Sequence, residues 1–190
     1  MKKPLGPTDR IYPMPCPLVV GGSMQESDML AVAWMTIVSP SPPRIGMSLR
    51  RTRRTLELIR EHGDFTVNFA PTEMAAQVDY CGITSGRAAD KWAASGLTAG
   101  RSSQVSAPLI AECPLSLECR VDSEVDLEDY VFVIGEILET HAEESLLDPD
   151  GKLDITALDP LVYVAGVREY RGLGPKLADA FAIGKNLTAG

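Results

Sequence analysis

Histidine is scarce in this chain, with only His62 and His141, and aromatic residues make up 6% of it. So small a stock of imidazole leaves little choice of general base, and no GxSxG elbow accompanies it, so hydrolysis by an activated serine is disfavoured. The four cysteines, Cys16, Cys81, Cys113 and Cys119, form no CxxC pair, and the two histidines are too far apart in sequence to make a local metal motif. No metal ligand is expected from that pattern, and the thiols read as free thiols of a reducing compartment, most of them core or strand residues. Neither GxGxxG after a strand nor GxxxxGK[ST] occurs, which removes a Rossmann site and a P-loop. Long apolar runs are missing too. The longest, residues 29–38, is interrupted by Thr36 and falls far short of the ~20 residues that cross a bilayer. Lys2 and Lys3 are followed by no apolar stretch before Pro13, Pro15 and Pro17, so no export is expected and the location read from the chain is cytoplasmic.

The 190 residues, 45% of them hydrophobic, suffice for one well-buried core and are few for two, so a single domain over residues 1–190 is expected. Carboxylates outnumber Lys and Arg by 26 to 18, for a net charge of −8. A nucleic-acid binder needs an extended basic face, which this balance does not supply. What basic character there is concentrates at Arg50, Arg51, Arg53 and Arg54, interleaved with Ser48, Thr52 and Thr55. The cluster follows a strand-like stretch at 44–49 and opens a helix-like one at 55–60. Unpaired backbone N–H groups and the positive end of the helix dipole would face an anion there, so the junction reads as a phosphate site. The alternative is a solvated arginine run on an exposed turn.

Strand signals dominate the rest. Residues 18–20 and 31–38 read as strands, the second apolar on both faces, and Gly21, Gly22 and Ser23 read as a turn between them. Residues 65–69 alternate as a half-buried strand does. Residues 115–121 carry the clearest alternation, and 130–138 form a nearly continuous apolar strand. Thr72 opens a helix through 78, residues 79–86 read as a loop, residues 87–94 as a short helix, and 175–181 as a terminal helix. Asp148, Pro149, Asp150 and Gly151 mark a turn before a strand at 161–164. Some seven strands and a few short helices, without regular alternation, favour a mainly β, antiparallel barrel.

In chain order, Ala31, Val32, Ala33, Trp34, Met35 and Thr36, the prolines of 39–43, Gly46 to Leu49 with the arginines and Thr55, and residues 65–69 resemble the flavin reductase family. Asp79, Tyr80, Cys81 and Gly82 with Ser85, Gly86, Arg87, Asp90, Lys91 and Trp92 are similar to its flavoredoxin branch, as are residues 117–119 and 134–137. The likeness runs over residues 13–185. It implies an FMN-binding split β-barrel working as a homodimer. In it, residues 31–36 line the flavin ring, and Ser48, Leu49, Arg50, Arg51 and Thr55 hold its phosphate. A loop carrying Cys81, Ser85, Gly86 and Arg87, with Lys91, covers the site. The chain departs from the family at Asp28 and Ala31, where Asn and Thr are common, and at Tyr130, where many members have His.

The resemblance implies an oxidoreductase that takes a hydride from NADH or NADPH, or electrons from a donor protein, and passes them to an acceptor through FMN. No catalytic side chain is implied. Hydride transfer depends on alignment more than on an acid or base and survives so histidine-poor a composition. Two alternatives stand beside this: a non-enzymatic FMN electron carrier, and a split-barrel protein holding haem or another anion without flavin.

Overall fold

The computed structural model describes residues 1–9 and 12–187. The first half contributes strands β1 (Pro13–Pro15), β2 (Leu18–Gly22), β3 (Ser27–Ala31), β4 (Met35–Pro40), β5 (Pro43–Arg50) and, after helix α1 (Arg54–His62), β6 (Asp64–Phe69). Helices α2 (Ala75–Ile83) and α3 (Lys91–Ser95) precede the short β7 (Ala99–Gly100) and β8 (Leu109–Ile110). The long strands β9 (Leu115–Leu127) and β10 (Tyr130–Ala142) follow, then α4 (Ile155–Leu158), β11 (Val162–Val164) and β12 (Glu169–Arg171).

Seven strands form one sheet in the order β3-β2-β6-β9-β10-β5-β4, every neighbouring pair antiparallel. The two edge strands, β3 and β4, are consecutive in the chain, and residues 32–34 carry it from one edge to the other. Along the way the Val32 N–H donates to the Pro17 carbonyl at 3.0 Å, and the Trp34 carbonyl accepts from the Ser48 N–H at 2.9 Å. The barrel is therefore split between β3 and β4, and the linker lies in the split.

Side chains alternate across a strand, so β2 feeds two cores. Val19 joins Leu30, Phe65, Val67, Cys119 and Val133 in one, closed by Leu56 and Ile59 of α1. Leu18 and Val20 join Met29 in the other, under Val78 and Cys81 of α2. Helix α1 stops at Gly63, whose φ of 74° suits glycine and whose N–H donates to the Ile59 carbonyl at 2.8 Å.

Five sequence expectations change. The single strand expected over 31–38 is β3 and β4 separated by the linker. Gly21 and Gly22 belong to β2, and the turn lies at 23–26, with the Ser23 N–H donating to the Glu26 carbonyl. Residues 79–83, expected in a loop, complete α2, because Val78 and Cys81 bury one helical turn apart against the sheet. The helix expected at 87–94 is the shorter α3, started by the Asp90 carboxylate accepting the Ala93 N–H at 3.2 Å. The last of the five concerns 175–181, which form no helix. Leu177 and Phe181 are 97% and 96% exposed and have nothing to pack on, and a short isolated helix is marginal in water.

Candidate functional site

The linker makes one side of a cavity of about 180 Å³ with Leu30, Ala31, Val32, Ala33 and Trp34. Ser48, Leu49, Arg50, Arg53 and Tyr130 make the other. Tyr130 stands between Trp34, at 5.2 Å between ring centroids, and the Arg50 guanidinium, 5.3 Å from its ring centre. Its hydroxyl accepts from Arg50 Nε at 2.7 Å, and that hydrogen bond raises the Arg50 pKa further. The result is a slot lined by backbone and small apolar side chains on one side and by a polar, cation-bearing wall on the other.

Arg50 and Arg53 also line a second cavity, of about 270 Å³, together with Thr52, Arg54, Thr84, Ser85, Gly86 and the paired Asp28 and Lys91. It lies beside the start of α1, where Arg53 is the capping residue and no side chain caps the helix. The first-turn amides of α1 therefore have no intrahelical partner. Carboxylates claim much of the arginine cluster but not these two side chains. Arg54 pairs with Glu26 at 2.5 Å and Glu57 at 3.1 Å. Arg51 is held by Asp126 and the Glu128 carbonyl and lines neither cavity. Arg87 donates to the Thr52 carbonyl at 2.8 Å and pairs with Glu57. Among the described residues no carboxylate pairs with Arg50 or Arg53, and Arg53 donates to the Gly82 carbonyl at 3.3 Å. Two guanidinium groups with no carboxylate ion-pair partner among the described residues thus line both cavities.

Beneath them lies a buried ion pair. Lys91 Nζ is 3.0 Å from Asp28 Oδ1 and 2.5 Å from the Met29 carbonyl, while the Thr55 hydroxyl donates to Asp28 Oδ2 at 2.5 Å. Thr55 is thereby turned inward and carries no free hydroxyl for a ligand; Lys91 reaches the second cavity with its charge already offset. Cys81 is fully buried in the core under α2, where burial pushes its thiol up to about 11. Met35 and Thr36 line a further cavity with Gly46 and Phe132, joined to the first through Trp34 and Ser48.

The structure thus brings together Ala31, Val32, Ala33, Trp34, Ser48, Leu49 and Arg50 in the slot, and Ser85, Gly86 and Lys91 beside Arg50 in the second cavity. It places Arg51, Thr55 and Cys81 elsewhere, and Arg87 at the margin. Arg53 and Thr52 belonged to the arginine and hydroxyl cluster read as a phosphate site, though not to the residues the resemblance assigned to it. Asp28 and Tyr130 were singled out only as departures from the family, and Thr84 was passed over.

A seven-stranded antiparallel barrel with a linker-lined slot at its opening is a split barrel of the flavin reductase type. The chain belongs to the flavin reductase-like family: the profile described as "Flavin reductase like domain" matches residues 9–174. Flavoredoxin of Desulfovibrio vulgaris (Miyazaki F) superposes with a TM-score of 0.91 at 36% identity, covering 97% of this chain and all of that one. Flavoredoxin from Methanosarcina acetivorans gives 0.89 at 32% identity, over 98% of this chain and all of that one. A Streptomyces nodosus subsp. asukaensis protein described as an NADH-dependent FMN reductase is 29% identical over 73% of this chain and 74% of its own.

Proposed function

We propose that the protein is an FMN-dependent oxidoreductase of the flavin reductase and flavoredoxin type, with the flavin ring against residues 31–34 and the phosphate between Arg50, Arg53 and residues 84–86. The observation that carries this reading is the junction of an apolar, backbone-lined slot with an anion pocket at two arginines that have no carboxylate ion-pair partner among the described residues. The donor set fits the group, because guanidinium forks and unpaired helix amides are the partners a phosphate monoester takes. Bound FMN supplies reversible two-electron chemistry. The chain's own residues bind and orient: the linker offers backbone amides and carbonyls to the ring edge, Trp34 and Tyr130 shield one side from water, and the arginines fix the tail.

The test is the visible spectrum of the purified protein, followed by FMN titration of the wild type and of Arg53→Ala. An oxidised-flavin spectrum, or reversible uptake of FMN weakened about 10- to 100-fold by the substitution, is expected for a charged hydrogen bond at the phosphate. A colourless protein that ignores FMN would sink the reading and leave a split barrel that holds haem or another anion.

NADH or NADPH is proposed as electron donor. A second reading, an FMN carrier that exchanges electrons with a redox protein and oxidises no nicotinamide, is favoured by Tyr130, which fills the place of the histidine common in the family. Stopped-flow mixing with NADH and NADPH separates the two, since bleaching at a useful rate requires the first. A homodimer is also part of the proposal, supported by the apolar edge strand β4, where Ile37 is 60% exposed.

A further inference from the structure

A separate cavity of about 360 Å³ opens among α2, the linker and the β11–β12 hairpin. Tyr163 and Tyr170 line it with ring centroids 5.7 Å apart and planes tilted by 51°. Ala31 and Ala33 line it as well, and the same two residues line the flavin slot. The volume is at the small end of ligand pockets, enough for a single-ring molecule.

Its charged groups are unequal. Asp79 is engaged by the Tyr170 hydroxyl at 3.0 Å. Arg168 is exposed on the hairpin turn, and among the described residues no carboxylate pairs with its guanidinium. Its φ of 58° is a left-handed conformation that costs a non-glycine residue free energy, and the turn holds it there through the Arg168 N–H donating to the Val164 carbonyl at 2.8 Å. Burial pushes the Cys16 thiol up to about 12, so that lining group is neutral. The cavity thus carries one carboxylate, engaged by a tyrosine hydroxyl, and one guanidinium exposed and without an ion-pair partner; a flat ring would pack on the tyrosine faces, and an acid group on it would take the guanidinium fork on the side away from Asp79's hydrogen-bonded oxygen.

We propose that this cavity is a binding site for a small, planar, single-ring carboxylate, packed against Tyr163 and Tyr170 with its acid group at Arg168. Its place beside the flavin slot makes it the substrate-selecting pocket of the proposed oxidoreductase and rests on that reading; the binding itself does not.

Calorimetric titration with benzoate and with its neutral counterpart benzyl alcohol tests it, on the protein with and without added FMN. Benzoate should bind about tenfold more tightly than the alcohol, a preference typical of one partly solvated charged hydrogen bond. Arg168→Ala should erase that preference, Arg168→Lys should keep part of it, and benzoate should shift the visible bands of the FMN-loaded protein. Equal binding of the two probes, no binding of benzoate, or an unaltered preference in Arg168→Ala would overturn the site. A flavin spectrum that benzoate does not move would overturn its place beside the slot. Benzoate binding by a protein that takes up no FMN would support the site and overturn the flavin reading alone.

Discussion

Asp28 ties three elements together at one carboxylate: its own β3, Thr55 of α1 and Lys91 of α3. The loop before α3 packs on it as well, for a Cβ on Gly86 would lie 2.1 Å from Asp28 Oδ1. Both members of the Asp28–Lys91 pair are buried, so neutralising one leaves the other's charge without compensation. Asp28→Asn should therefore destabilise the protein by about 3–5 kcal/mol, read as a lower urea midpoint at unchanged slope. Gly86→Ala should lower both the urea midpoint and FMN affinity, because the displaced loop packs on Asp28 and also lines the anion pocket. The cysteines behave as core residues. Burial pushes Cys81 up to about 11 and Cys16, Cys113 and Cys119 up to about 12, so a thiol reagent at pH 8 should label none of them until urea unfolds the chain. At this scale the sequence showed that arginines cluster but not which ones are free. Arg51 is occupied by Glu128, 77 positions away, and Arg54 by Glu26, 28 positions away. Such partners come together only once the sheet has formed.

The elements differ in how much of them local sequence determines. β9 and β10 were legible from alternation and apolar run, and α1 from the helix-like run that the arginine cluster opens. The β3–β4 break was not, because the residues on both sides of it are apolar and nothing in 32–34 is a turn former; the chain bends there because it must pass between sheet edges. That unread bend is the heart of the candidate site. β9 runs on past the end of β6, and Arg51 and Arg60 tether its far end through Asp126 and Glu124. Arg51→Ala should accordingly leave FMN affinity unchanged while speeding amide exchange around residues 124–130; a large loss of FMN affinity would return Arg51 to the phosphate site. A second tether is the fully buried Glu118 of β9. Its carboxylate accepts the backbone N–H groups of Ser103, Gln104 and Val105 and contacts His141 Nε2 at 2.5 Å. Burial by itself would raise its pKa, but the hydrogen bonds from Ser103, Gln104 and His141 outweigh it and hold the group below its ordinary 4.5. A carboxyl lowered in the folded state stabilises fully above its unfolded value and loses that contribution as pH falls through the folded one. Urea stability should thus drop on acidification below about pH 4.5, and Glu118→Gln should be less stable at neutral pH with a flatter acid limb.

For the whole molecule, the apolar surface left open by one chain decides what remains. β4 is a sheet edge carrying exposed Ile37 and Val38, Val125 and Leu127 are exposed on the neighbouring hairpin, and the tail adds Leu177 and Phe181. An unguarded apolar edge invites pairing, and covering it with a second copy of the same chain is the commonest resolution. Sedimentation should report the mass of two chains, and Ile37→Asp should shift it to one. The same strand borders the site: Met35 and Thr36 of β4 line the cavity that shares Trp34 and Ser48 with the flavin slot. A second subunit laid on β4 would close that cavity over the slot. The monomeric Ile37→Asp variant should then bind FMN more weakly than the dimer although position 37 lines neither flavin cavity. If it binds FMN as tightly as the dimer does, one chain supplies the complete site, and the exposed strand serves assembly alone.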